Sequence, residues 1–113
     1  MNVKGNYLGE LEELVLISVA SLSHNAYGVS VRQYIVEKAQ RDVNISAIHE
    51  VLKRLERKGY MKSKMGGATN ERGGRRKRFF ILTAAGTREM QQAIDMKMQF
   101  YKGIPSISLK LIS

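Results

Sequence analysis

Apolar residues recur at helical spacing along the first half of the chain, and the period then changes. Leu11, Leu14, Val15, Ile17, Val19, Ala20 and Leu22 follow an acidic cluster of Glu10, Glu12 and Glu13. A helix N-terminus favours carboxylates because its first backbone amides point outward unpaired. The spacing therefore predicts a helix over 8–22, preceded by a short arm. Its second half is apolar on nearly every side, as in a helix buried against several neighbours. Ser23-His24-Asn25 is a polar break, and Val31, Tyr34, Ile35 and Ala39 predict a second helix over 29–39. Ile45, Ile48, Leu52 and Leu55 form one stripe of a third helix over 45–58. Asn44 or Ser46 can cap its start, Arg57 and Lys58 suit the negative end of its dipole, and Gly59 supplies a left-handed stop. The opposite face reads Ala47, His49, Glu50, Lys53, Arg54 and Arg57.

After Gly59 the pattern shortens to near-alternation. Tyr60 to Met65 and Arg75 to Thr83 read as two strands around a glycine-rich turn, the second strengthened by Phe79, Phe80, Ile81 and Leu82. Thr83 caps a fourth helix over 84–101, roughly 27 Å long at helical rise. That is more than a small domain needs to cover itself. Met90, Ile94, Met98 and Tyr101 form a stripe on it, widened by Ala93, Met96 and Phe100. Pro105 stops this helix, and 102–113 is a tail, strand-like by its Ile107, Leu109 and Leu111 alternation or disordered.

Three helices, a β-hairpin and a helix make a mainly α fold with a small wing: a winged helix-turn-helix over 1–83, followed by a C-terminal dimerisation helix over 84–101. At 113 residues the core is modest, so a second subunit would help it. There is no cysteine, hence no disulfide frame, thiolate metal site or cysteine nucleophile. His24 and His49 lie too far apart to read as a ligand pair, and no histidine, serine and carboxylate constellation suggests catalysis. No enzyme activity, cofactor or metal is expected. The longest apolar run, Leu14 to Ile17, is too short to span a bilayer, and no basic segment precedes a long apolar stretch. The expected place of action is the cytoplasm.

Charge sharpens this picture. The chain carries +9, and the segment 41–78, with twelve cations against four acids, holds +8 of it. So local a surplus attracts a phosphate backbone. A helix about 10 Å across fills the major groove of B-DNA, and a hairpin beside it reaches the flanking backbone or minor groove. The hairpin tip, Glu71-Arg72-Gly73-Gly74-Arg75-Arg76-Lys77-Arg78, pairs glycine with arginine forks that match phosphate oxygens.

The stretches Tyr27-Gly28, Asp42-Val43, Leu52 to Tyr60, Arg72 to Phe80 and Leu82-Thr83-Ala84-Ala85-Gly86, with the helix from Leu8 to Val19, resemble the PadR-like transcriptional regulators from about Leu8 to Glu89. The resemblance implies a bacterial or archaeal homodimer with a winged N-terminal domain on DNA and C-terminal helices pairing the protomers. It also implies repression of a nearby operon, relieved in some members by a small molecule. Two departures stand out. His49 occupies a position where the family usually has tyrosine, and the C-terminal region is a single helix where larger relatives carry several.

The expected partner is thus double-stranded DNA. Ser46, Ala47, His49, Glu50 and Lys53 are expected at base edges, Arg54 and Arg57 on phosphates, and Arg72, Arg75, Arg76 and Arg78 of the wing on backbone or minor groove. The expected homodimer seam is Leu11, Val15, Met90, Ile94, Met98 and Tyr101, a Met-rich crevice suited to a hydrophobic effector. The alternative is a basic winged helix that binds RNA or the ribosome. A winged helix serving protein interaction without nucleic acid fits the +8 segment less well.

Overall fold

The structure, a computed structural model, describes residues 8–66 and 76–108. Its elements run α1 (Glu10–Leu22), a 3-10 turn (Ser23–Asn25), α2 (Gly28–Ala39), α3 (Ile45–Arg57), β1 (Met61–Met65), β2 (Arg78–Leu82) and α4 (Ala84–Lys102). The wing arginines Arg72 and Arg75 lie outside the described residues.

Local chemistry sets the boundaries. α1 starts at Glu10 rather than Leu8 because the Glu12 carboxylate reaches back to accept from the Gly9 amide at 2.9 Å. α2 starts at Gly28, with the Tyr27 amide donating to the Ser30 hydroxyl at 2.9 Å. Of the two candidate caps of α3, Asn44 serves: its side chain accepts from the Ala47 amide at 2.8 Å. The helix ends in a Schellman turn. Gly59 sits at φ +84°, its amide donates to the Glu56 carbonyl, and the Tyr60 amide donates to the Leu55 carbonyl at 2.9 Å.

The core joins Val15, Leu16 and Val19 of α1, Val31 and Ile35 of α2, Ile48, Val51, Leu52 and Leu55 of α3, and Met61 and Phe80 of the hairpin. Each such side chain stabilises the fold by about 2 kcal/mol on leaving water. α1 is the central element, packed on α2, α3, β2 and α4, which explains its nearly all-round apolar second half. This corrects one expectation. Val15, expected in the seam, is fully buried in the core of this chain and offers no surface to a partner.

β1 and β2 pair antiparallel, Met61 opposite Leu82, Ser63 opposite Phe80 and Met65 opposite Arg78. The return strand thus starts at Arg78, three residues later than its composition suggests. The Phe80 amide donates to the Ala26 carbonyl at 2.8 Å and hooks the wing to the segment before α2. α4 begins against the wing's base, where the Thr83 hydroxyl caps the Gly86 amide at 3.0 Å. A Cβ on Gly86 would overlap the Tyr60 carbonyl, so only glycine allows this approach.

α4 then divides. Met90 packs on its own core, and Lys97 grips Glu13 of α1 at 2.7 Å. Beyond that contact Met98, Phe100 and Tyr101 stand exposed, Phe100 at 74%. The expected stripe is therefore half internal: Met90 packs on the core of this chain, and Ile94 is half-buried. After Pro105 the chain makes a helical turn over 106–108 rather than a strand, while Leu109 and Leu111 lie outside the described residues.

Candidate nucleic-acid interface

Opposite the buried stripe of α3, the spacing i, i+4, i+7, i+11 places Ser46, Glu50, Lys53 and Arg57 in one outward row, all exposed. His49 and Glu56 flank the row on the wing side. Ala47 and Arg54 flank it on the α1 side.

The wing side is open. His49, Lys53 and Glu56 of α3, Tyr27 and Gly28 at the head of α2, and Arg76, Lys77 and Arg78 of the wing line one cleft of about 810 Å³. Lys53 and the described wing arginines therefore face a common space. The His49 imidazole packs through Cε1 against the α2 backbone at Gly28, and any Cβ there would overlap it. A glycine at this position and the ring above it are thus one device. Tyr27 meets the Phe79 ring edge-on at 5.5 Å, and the Lys77 ammonium sits over the Tyr27 ring at 4.3 Å. Arg76 donates from Nε to the Gly66 carbonyl at 2.9 Å. Ser63 donates to Glu56 Oε2 at 2.7 Å and accepts from Arg78 at 3.0 Å.

The α1 side is closed by ion pairs. Glu12, nearly buried, takes Lys58 at 2.9 Å and Arg54 at 3.6 Å on its Oε2. Arg54, expected on phosphate, is thereby drawn toward α1, and half-buried Ala47 lines a shallow groove with Gly9, Glu10 and Glu12 rather than the cleft. Burial pushes the Glu12 carboxyl up, but the Gly9 amide, Lys58 and Arg54 outweigh it, and its pKa lies below the usual glutamate value of 4.5. Glu10 is lowered too, by its hydrogen bond and charge contact with Arg41 at 2.8 Å.

Sequence reasoning missed Glu12, Tyr27, Glu56, Ser63 and Lys77. For Glu12 a signal existed: it occupies the core-facing register of α1 with Val15, Leu16 and Val19, where a carboxylate requires a cation beside it. Lys77 lies in a cationic run whose arginine forks match phosphate more closely. Among the described residues no group of three or more His, Asp and Glu is placed to hold a metal, and no helix is long and apolar enough to cross a membrane.

The model of the transcriptional regulator PadR-like family matches residues 16–92, about two thirds of the chain. The chain belongs to this family. PadR-family proteins are DNA-binding transcriptional regulators, not enzymes. The fold agrees. A PadR family transcription regulator from Clostridium difficile R20291 superposes with a TM-score of 0.67 at 20% identity, over 93% of this chain and 100% of that one. A PadR family regulator from Eggerthella lenta gives 0.65 at 19% identity, over 92% and 87%. Bacillus subtilis PadR in complex with operator DNA gives 0.61 at 19% identity, over 75% of this chain and 46% of its own, so this chain spans under half of that protein's length. A comparison with curated protein sequences finds no match.

Proposed function

We propose that this PadR-family regulator is a homodimeric repressor, acting in the cytoplasm, that reads a two-fold operator in double-stranded DNA. α3 enters the major groove with Ser46, His49, Glu50 and Lys53 toward base edges and Arg57 on phosphate. The wing, through Arg72, Arg75, Arg76 and Arg78 together with Lys77, lies on the flanking backbone or minor groove. The observation that carries this reading is the shared cleft, in which cations from α3 and from the wing face the same space beside an exposed helix row. Two half-sites about one helical turn apart would match the two-fold symmetry of the protein.

The division of labour along the chain follows. Residues 1–83 form the DNA-binding unit and 84–101 the dimerisation helix. The exposed Met96, Met98, Phe100 and Tyr101 of α4 support a seam there, since so apolar a helix end is costly in water. Leu11 and Ile94, both half-buried, would border that seam. Methionines repack readily, which suits a hydrophobic effector in the crevice between protomers.

Selection of bound duplexes from a random pool, followed by gel shifts against structured RNA, tests the DNA assignment. An enriched two-fold sequence that RNA does not displace is expected. Preference for RNA sinks it. Sedimentation equilibrium of the wild type and of Met98→Glu tests the seam: a dimer is expected to become a monomer, and a wild-type monomer ends the dimer reading.

A further inference from the structure

We propose that Glu56, acting through Ser63, sets the sequence discrimination of the DNA-facing cleft by aiming Arg78 and by penalising phosphates that enter out of register. The inference rests on the DNA-binding reading above.

The Ser63 hydroxyl has one hydrogen and two lone pairs. Its hydrogen goes to Glu56 Oε2 at 2.7 Å, and a lone pair receives the Arg78 guanidinium at 3.0 Å. These directions are forced, because a carboxylate only accepts and a guanidinium only donates. A negative end on α3 and a positive end on β2 are thus joined through a neutral relay on β1. The base of the wing is held separately, by Tyr60 on Leu55, Thr83 on Tyr60 and Phe80 on Ala26. Glu56 and Arg78 are exposed, and such contacts contribute little to stability. The relay is therefore spare for folding and decides something finer: where the Arg78 head points and where the negative charge sits.

Both matter in this cleft. A tethered guanidinium loses less rotamer freedom when it meets a phosphate. Among the described residues lining the cleft, Glu56 is the one acid facing Lys53, Arg76, Lys77 and Arg78. A carboxylate there weakens binding to every duplex, least where the backbone path leaves it turned away from phosphate. Affinity is thereby exchanged for discrimination, which grows by repulsion of wrong arrangements as well as by attraction to the right one.

The test uses the full chain, a duplex selected by the wild type from a random pool, and a scrambled duplex of the same composition. Binding is measured across a salt series, with melting temperatures alongside. Ser63→Ala is expected to weaken the selected duplex up to about tenfold and the scrambled one by less than about twofold, the effect of one aiming hydrogen bond. Ser63→Thr restores the ratio. Glu56→Gln keeps the acceptor and removes the charge. It is expected to bind both duplexes more tightly, to narrow their ratio and to steepen the log–log salt slope by about one. Should Ser63→Ala and Glu56→Gln keep the wild-type ratio and slope, the relay has no such role. An unchanged Glu56→Gln slope also overturns it where Ser63→Ala merely lowers the melting temperature. A wild type that enriches no duplex overturns the DNA-binding reading itself, a result distinct from either.

Discussion

On the α1 side of α3, Arg54 and Lys58 meet a carboxylate that is only 7% exposed, at 3.6 and 2.9 Å. On the wing side, Lys53 and His49 face an open cleft shared with Arg76, Lys77 and Arg78. Both flanks come from the same run, Ile48 to Lys58. What separates them is the neighbour. Toward α1 a buried acid consumes the cations in holding the fold. Toward the wing, Arg76, Lys77 and Arg78 outnumber the one acid lining the cleft among the described residues, Glu56, and in the proposed reading the surplus meets a polyanion. In that reading, positive charge on a helix becomes a binding surface where the tertiary structure leaves cations in excess of their counterions.

This contrast breaks most sharply at Glu12. Glu12→Ala removes the Gly9 cap and leaves Lys58, 31% exposed on its side chain, without its acid. Discounting the buried-pair penalty for that exposure, the expected loss is about 2 kcal/mol, or roughly 10 °C in melting temperature by calorimetry. The same pair has a pH signature. The folded-state pKa of Glu12 is depressed, so its contribution is present above the unfolded value of 4.5 and is lost as pH falls through the folded one. As pH falls below 4.5, wild type should lose stability more steeply than Glu12→Gln in melting curves across pH. Equal slopes would show that Glu12 does not carry the effect.

Wing and α1 flank separate next in salt dependence. Arg76→Ala with Lys77→Ala should leave the melting temperature nearly unchanged and flatten the log–log salt slope of duplex binding by about two. Arg54→Ala should leave that slope alone and cost below about 1 kcal/mol of stability, as partly exposed pairs do. A flattened slope for Arg54→Ala would place that residue on DNA after all.

The smallest effect is expected at Gly28. Its added methyl meets the movable His49 ring rather than backbone, so Gly28→Ala should change stability by less than about 1 kcal/mol. By displacing the imidazole it should shift duplex preference in the same direction as His49→Ala. Additive effects in the double variant, where coupling is expected, would separate the two residues.

Much of the architecture was legible in the chain because it depends on neighbours in sequence. The apolar stripe of α3, the caps at Asn44 and Thr83 and the stop at Gly59 each follow from local spacing and backbone chemistry, and each is found in place. Other features were not legible. Val15 and Leu11 share a helix face by spacing, yet Val15 is sealed in the core and Leu11 is half-buried, because α1 has neighbours on several sides. The stripe of α4 looked uniform, and contact with α1 divides it between Met90 inside and Met98 outside.

What the order of residues dictated, then, was the set of elements, their ends and the sign of the charge on the third helix and the wing. Hydrogen bonds within a few residues and the periodicity of apolar side chains suffice for that. Which cations remain available, which acid restrains them, and which ring rests on Gly28 were decided in three dimensions. Ion pairs such as Glu12 with Lys58 or Lys97 with Glu13 join residues far apart in the chain. Their strength depends on distance and burial, neither of which a linear pattern contains.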